Sequence, residues 1–338
     1  MNADDRYSRQ RLLPEIGDEG QGRIDRSRAL VVGCGALGTV QAALLVRAGV
    51  GETVLIDRDY VERSNLQRQC LFEERDADQG LPKAVAAARR LRRANSDVSV
   101  RAVVEDLVPS NAEGLLRDAT VILDGTDNFE ARYLINDVAV KHGIPWVYGA
   151  AVGTKGSVMP VIPGRTACLA CIFPEPPASR QPTCDTAGVL SAATAMIASL
   201  QVAEALKILA RGPAFARARL ASHDVWTGER SSVSTDRPHA ECRTCGRREF
   251  THLDAKGQVS ARLCGRDAVQ LPGGEAPVDL AKLAATLAAT GEVRWTEHAL
   301  RFVNPPHEFT VFPDGRAIVK GTDDVGVARS LYARYVGH

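Results

Sequence analysis

The hydrophobic pattern becomes ordered at residue 29. Residues 29–32 are a continuous apolar run of strand length, 37–48 repeat apolar positions at helical spacing, and 53–56 form a second buried-type run. Strand, helix and strand in that order begin a doubly wound parallel sheet. The rhythm continues with a helix over 83–95, an alternating strand over 98–104 and a short helix over 111–118. A buried strand over 120–124, a helix over 129–142 and strands over 145–151 and 156–162 follow. Residues 219–237 read as further strands, and the polar stretch 4–28 reads as a solvated helix, with an arm delivering arginine to an anion as the alternative. The most apolar stretch, 187–210, carries Ser191, Thr194, Gln201, Glu204 and Lys207, which suits a helix buried in protein rather than one spanning lipid. Beyond residue 250 the rhythm changes. A helix over 279–290, alternating runs over 292–304 and 307–320, a hairpin turn at Pro313-Asp314-Gly315 and a helix over 324–336 predict a small α+β unit without a catalytic constellation. The expected division is 1–248 and 249–338, with a docking or structural role for the second part.

Composition narrows the function classes. With 42 basic and 41 acidic residues in 338, a net charge of +1, the chain carries no electrostatic footprint for nucleic acid or an anionic membrane. The N-terminus, MNADDRYSRQ, has no apolar signal core, so a cytoplasmic protein is predicted. In that compartment its eight cysteines are ligands, nucleophiles or buried thiols rather than disulfides.

Chemistry concentrates at the predicted strand ends. Gly33, Gly35 and Gly38 follow the first strand and open a helix, so backbone N–H groups and a helix N-terminus face an anion. Asp57 ends the next strand, about twenty residues on, where an acid binds a ribose hydroxyl. These features alone fit NAD as well as ATP. The following segment, residues 58–72 (RDYVERSNLQRQCLF), places Asp59, Glu62, Asn65, Arg68 and Gln69 where open α/β sheets bind ligands. An arginine and an amide there hold a triphosphate, whereas hydride transfer has no use for them. Lys83 opens a helix against its macrodipole, a better placement for a ligand than for structure; an exposed surface lysine is the alternative. After Asp124, the pair Asp127 and Asn128 suits Mg²⁺ and ribose or phosphate oxygens, or else the N-cap of helix 129–142.

Two C-x-x-C pairs, Cys168/Cys171 and Cys242/Cys245, fit a closed tetrahedral zinc site stapling separated segments; redox motifs or free thiols are the alternatives. Cys184, beside Thr183 and Asp185 and ahead of a helix, is either a nucleophile or a packing thiol. Cys34, Cys70 and Cys264 are expected to pack.

With these residues placed, the chain resembles the MoeB/ThiF family, relatives of the ubiquitin-activating enzymes, over residues 7–246. The resemblance rests on the ordered set Y-S-R-Q, G-C-G-A-L-G, the strand ending in Asp57, S-N-L-Q-R-Q, Pro82-Lys83, T-D-N, both C-x-x-C pairs and C-D-T-A-G-V-L. It implies a Rossmann-like fold and an ATP-dependent adenylyltransferase. Such an enzyme converts the C-terminal glycine of a small ubiquitin-like carrier (MoaD/ThiS-like, ending in Gly-Gly) to an acyl-adenylate. Pyrophosphate is released, and the product serves sulfur transfer in molybdopterin, thiamine or related cofactor biosynthesis. The implied roles are Asp57 on the ribose; Asn65, Arg68 and Lys83 on phosphates; Asp127 on Mg²⁺; and Gly33, Gly35 and Ala36 along the nucleotide. Gly38, Asp59, Ser64, Leu66, Gln67 and Asn128 complete the cofactor pocket. Arg9 would cross a homodimer into the partner's site, and Cys184 would carry thioester or persulfide chemistry. A sulfurtransferase or cysteine desulfurase is an implied further partner.

The chain departs from the family pattern in three places. Ala36 stands where many relatives have a second consecutive glycine, the segment between Arg68 and Lys83 is longer than usual, and the C-terminal part does not resemble a rhodanese domain. Three competing readings are a conjugation activator with a thioester on Cys184, a non-catalytic nucleotide-binding scaffold, and an NAD-dependent dehydrogenase resting on the glycines alone.

Overall fold

A computed structural model describes residues 6–175, 187–255, 261–262, 268–271, 273 and 277–337. The chain forms two compact units, Met1–Asp78 with Pro82–Ala255, and Gln79–Leu81 with Lys256–His338.

The first unit is built on an eight-stranded sheet in the order β3-β2-β1-β4-β5-β6-β7-β8. Its strands are β1 (Arg28–Val32), β2 (Glu52–Ile56), β3 (Ser99–Val103), β4 (Val121–Asp124), β5 (Trp146–Val152), β6 (Lys155–Val161), β7 (Arg219–Asp224) and β8 (Arg230–Ser234). The first five pair in parallel and the last three join antiparallel. Strand order reverses between β1 and β4, so the crevice at their carboxyl ends is the ligand position of a doubly wound sheet. Val32 lies opposite both Ile56 and Asp124, which aligns the three strand ends that carry the candidate chemistry.

The helices of this unit are α1 (Ser8–Arg11), α2 (Gly17–Asp25), α3 (Ala36–Arg47), α4 (Glu74–Asp78), α5 (Lys83–Ala94), α6 (Pro109–Leu116), α7 (Phe129–His142), α8 (Leu169–Ile172) and α9 (Ser191–Arg211). The N-terminal stretch departs from the expected solvated helix. It is two short helices, with Gly17 at the start of α2 in the left-handed region, and α2 buries Gly20, Gln21 and Ile24. Gln10 and Gln21 both donate to the Ala48 carbonyl, satisfying the C-terminus of α3. Helix α9 is long and apolar enough to cross a membrane, but it packs within this unit against α2, α3, β5 and β6. Its Gln201 accepts from Gln41 of α3 at 2.6 Å and donates to the carbonyls of Asp124 and Val147 at 2.8 and 3.0 Å. A buried amide ladder thereby fixes two helices to the ends of β4 and β5.

The second unit has a six-stranded antiparallel sheet in the order β11-β12-β13-β14-β10-β9. Its strands are β9 (Ala261–Arg262), β10 (Ala268–Leu271), β11 (Glu292–Thr296), β12 (Ala299–Asn304), β13 (His307–Val311) and β14 (Ala317–Lys320). Each of the two alternating runs read from the sequence is thus a hairpin. Helices α10 (Leu280–Leu287) and α11 (Val325–Tyr335) pack their apolar residues with Phe302, Phe309 and Val319 of the sheet. Asp279 and Asp324 cap them, each accepting two backbone N–H groups.

Candidate active site

The site begins with two loops whose backbones touch. Gly33 leaves β1 at φ +90°, and a Cβ there would meet the Gly125 carbonyl oxygen, just past β4, at 2.6 Å. A side chain at either position would separate the loops. Gly35 is the N-cap of α3 and Ala36 its first helical residue, with no side chain capping the helix. The first-turn N–H groups are therefore available to an anion. The methyl of Ala36 lies in the helix proper, where alanine is the most favourable residue.

Asp57, just past β2, is held under this turn. One carboxylate oxygen accepts the Cys34 N–H at 2.5 Å and the other the Asp59 N–H at 2.6 Å. Loss of solvent pushes its pKa up from 3.8 to about 6; Lys83 and the two N–H bonds pull the other way, and Asp59 adds to the rise. Cys34 is buried, as its expected packing role requires, and burial pushes its thiol well up.

Lys83 is only 5% exposed, which rules out a surface role. Its ammonium lies 3.0 Å from Asp59 Oδ2 and its N–H donates to the Asp59 carbonyl. Arg58 pairs with Asp106 at 2.6 Å and approaches Asp59 at 3.8 Å. The turn Arg63–Asn65 presents Ser64 and Gln67 exposed, Leu66 half-buried and Asn65 buried. Arg68 is half-buried and donates to the Ser64 carbonyl at 3.0 Å. Gln69 is buried beside Gly35 with its amide oxygen unpartnered.

The loop after β4 separates two acids. Asp124, at the end of β4, is fully buried and bound to Arg132 Nε at 3.0 Å and to Thr126. Asp127 is exposed, and its charge reaches both Arg58 and Arg132. Mg²⁺ takes oxygen ligands and often only one or two carboxylates beside substrate phosphates, so this donor fits that ion. Asn128 accepts the Ala131 N–H at 2.8 Å, so its side chain caps the N-terminus of α7.

Gly33, Gly35, Ala36, Gly38, Asp57, Asp59, Asn65, Arg68, Lys83 and Asp127 thus belong to segments at one end of the sheet. Arg9 does not. It is exposed on α1, and its neighbour Gln10 bonds the C-terminus of α3, roughly 18 Å of helix away from the glycine turn. Cys184 and Cys264 lie outside the described residues.

Away from this crevice, Cys168, Cys171, Cys242 and Cys245 converge. Their sulfurs lie 3.9 Å (168–171), 3.6 Å (168–242) and 3.3 Å (171–245) apart, all within 4.8 Å of one another. A ZnS₄ tetrahedron with Zn–S of about 2.3 Å has edges of about 3.8 Å, so the set fits zinc. The His239 N–H reaches Cys171 Sγ at 3.4 Å, a contact that favours a thiolate. Cys70, expected to pack, is exposed instead.

Residues 7–244 match the model of the ThiF family, about two-thirds of the chain. The chain belongs to the ThiF family. This ThiF-family chain is similar along almost its whole length to the sulfur carrier protein ThiS adenylyltransferase of Bacillus subtilis. The two are 44% identical over 336 residues, 98% of this chain and 99% of that one. The SAMP-activating enzyme E1 of Haloferax volcanii is 40% identical over 243 residues, 72% of this chain and 88% of that one. Among solved structures, Escherichia coli MccB superposes with a TM-score of 0.64 at 22% identity, covering 72% of this chain and 73% of that one, a likeness of fold. Sequence reasoning overlooked Arg58, Asp106 and Arg132 at this site. Arg132 left one trace, a cation close to the positive end of α7, where a cation is out of place.

Proposed function

We propose that this ThiF-family adenylyltransferase activates the C-terminal glycine of a small ubiquitin-like sulfur carrier as an acyl-adenylate, releasing pyrophosphate. The observation that carries the reading is the 44% identity, along both units, to a relative named for ThiS. Of the carriers compatible with the family, it favours a ThiS-type one and hence thiamine-directed sulfur transfer in the cytoplasm.

The reaction needs little acid–base chemistry. A C-terminal carboxylate is ionised at neutral pH and attacks the α-phosphate directly. Holding the triphosphate in line and neutralising its charge is the main burden, and a crevice of lysine, arginine, amides and backbone N–H groups supplies it. In this reading Asp57 accepts the ribose hydroxyls. The first turn of α3 and Gly33, Gly35, Ala36 and Gly38 lie along the nucleotide. Asn65, Arg68 and Lys83 hold phosphates, with Asp59, Ser64, Leu66, Gln67 and Asn128 around them. Asp127 holds Mg²⁺, which supplies charge neutralisation on the phosphates when bound. The four cysteines hold a structural zinc that joins the α8 segment to residues 242–245. Arg9 is remote from the site of its own chain, which favours a homodimer in which it completes the partner's site.

We assign residues 1–248 to adenylation and residues 249–338 to carrier docking, since the relative named for ThiS shares both parts. Nucleophilic sulfur, supplied by a cysteine desulfurase or sulfurtransferase, then attacks the acyl carbon and displaces AMP, with Cys184 as the candidate cysteine to carry that sulfur as a thioester or persulfide. Incubating the chain with Mg-ATP and a ThiS-type carrier, followed by intact-mass analysis, tests the reading. An AMP adduct on the carrier supports it, and an unmodified carrier with intact ATP counts against it.

A further inference from the structure

Arg132 is a buried cation that the reading above does not use. It stands in the second turn of α7, against the helix macrodipole, so its placement has another cause. Its Nε binds Asp124 Oδ2 at 3.0 Å, and its Nη2 donates to the carbonyls of Thr126 at 2.7 Å and Gly149 at 3.2 Å. The rings of Phe129 and Tyr148 flank the guanidinium at 5.2 and 5.3 Å. Asp124 in turn accepts both the N–H and the hydroxyl of Thr126, at 2.9 and 2.7 Å. The loop from Asp124 to Asn128 is thus tied at its first and third residues by one planar group, and at its last by the α7 cap.

The loop carries two acids within four residues. Arg132 takes Asp124 out of play, buried and neutralised, and Asp127 stays exposed. We propose that Arg132 is the positioning residue for the metal-binding carboxylate: by clamping Asp124 and the Thr126 carbonyl it makes Asp127 the one acid of this loop presented to the nucleotide's metal ion. The inference rests on the adenylation reading for the presence of Mg-ATP, and it adds that selection between the two acids is made by a residue that touches neither nucleotide nor metal. A lysine could keep the charge on Asp124 but lacks the planar fork that reaches the two carbonyls as well.

Calorimetry on the full chain tests this without turnover. ATP is titrated in EDTA and in Mg²⁺, and adenosine alone reports the ribose end. Wild type gains ATP affinity on adding Mg²⁺, and Asp127→Asn loses that gain. Arg132→Lys should lose most of it, about fivefold or more, while adenosine affinity holds within about twofold. Placed on Asp127→Asn, Arg132→Lys should cause no further loss. The proposal is overturned if Arg132→Lys keeps the Mg²⁺ gain, if it weakens adenosine equally, or if its loss multiplies with that of Asp127→Asn. Should Arg132→Lys fail to fold, Thr126→Val removes the hydroxyl bond to Asp124, and an unchanged Mg²⁺ gain in that variant overturns the proposal as well. Wild type that binds no ATP contradicts the adenylation reading itself. Wild type with a Mg²⁺ gain and an indifferent Arg132→Lys contradicts only the positioning role.

Discussion

Lys83 Nζ sits 3.0 Å from Asp59 Oδ2, and the backbone N–H of Lys83 donates to the Asp59 carbonyl. Side chain and main chain of the same two residues therefore join the start of α5 to the end of β2. The pair explains how a cation is kept, nearly buried, at the positive end of a helix. The carboxylate of Asp59 offsets the dipole and holds the ammonium in the crevice.

Lys83→Ala and Arg68→Ala should each lower the adenylation rate about a hundredfold or more, the scale of losing one charge-stabilising donor in a closed site. Lys83→Ala should also destabilise the fold by about 1–3 kcal/mol, because Asp59 loses its contact with the ammonium and the charge that pulls Asp57 down is gone. Among the described residues Arg68 bonds one carbonyl, so its removal should leave the melting temperature close to wild type. Initial rates with thermal melts read both effects. Near-normal rates in both variants would remove these residues from the site.

The raised pKa of Asp57 sets a pH dependence. Between its ordinary 3.8 and about 6 the folded chain holds this proton more tightly than the unfolded chain. Its contribution to stability is therefore present in acid and is lost as pH rises through about 6. Ribose hydroxyls donate to the ionised form, so nucleoside binding runs the opposite way. Adenosine affinity should fall by up to about tenfold per pH unit below 6, with proton release on binding in that range. Asp57→Asn should flatten the profile; calorimetry across pH 5–8 in two buffers of different ionisation heat measures both.

Metal analysis should find one zinc per chain. A strong chelator should extract it, lower the melting temperature and leave four thiols titratable beyond those of the metal-loaded chain. Cys242→Ser should do the same in part, since three ligands remain. A chain free of metal with an unchanged melting curve would refute the zinc assignment.

The remoteness of Arg9 from its own crevice predicts complementation. Arg9→Ala and Lys83→Ala homodimers should each be inactive. A mixed population should regain roughly a quarter of wild-type activity, because each heterodimer holds one complete site. No recovery on verified subunit exchange would place the function of Arg9 within its own chain.

Much of the crevice was legible because backbone geometry writes itself into sequence. Gly33 must be glycine where two loops touch, and Asp57 ends a strand whose apolar run is unmistakable. The oddity of Lys83 at a helix start pointed to the crevice, but its partner Asp59 lies 24 residues away across a strand end, and no local period reports such a pairing. The pairing of Asp124 with Arg132 escaped for the same reason: their contact joins a strand end to the following helix. The N-terminal stretch misled because polar residues dominate it while Gly20, Gln21 and Ile24 are buried. The separation of 219–224 from 230–234, and of 292–296 from 299–304, turns on short turns that alternating polarity does not mark.

The most direct test of the central claim is ATP–pyrophosphate exchange with a ThiS-type carrier, paired with the same carrier lacking its terminal glycine. Mg²⁺-dependent exchange with the intact tail and none with the truncated one is the predicted result. Tight ATP binding without exchange, for this carrier and for others ending in Gly-Gly, would contradict adenylation and leave a nucleotide-binding scaffold.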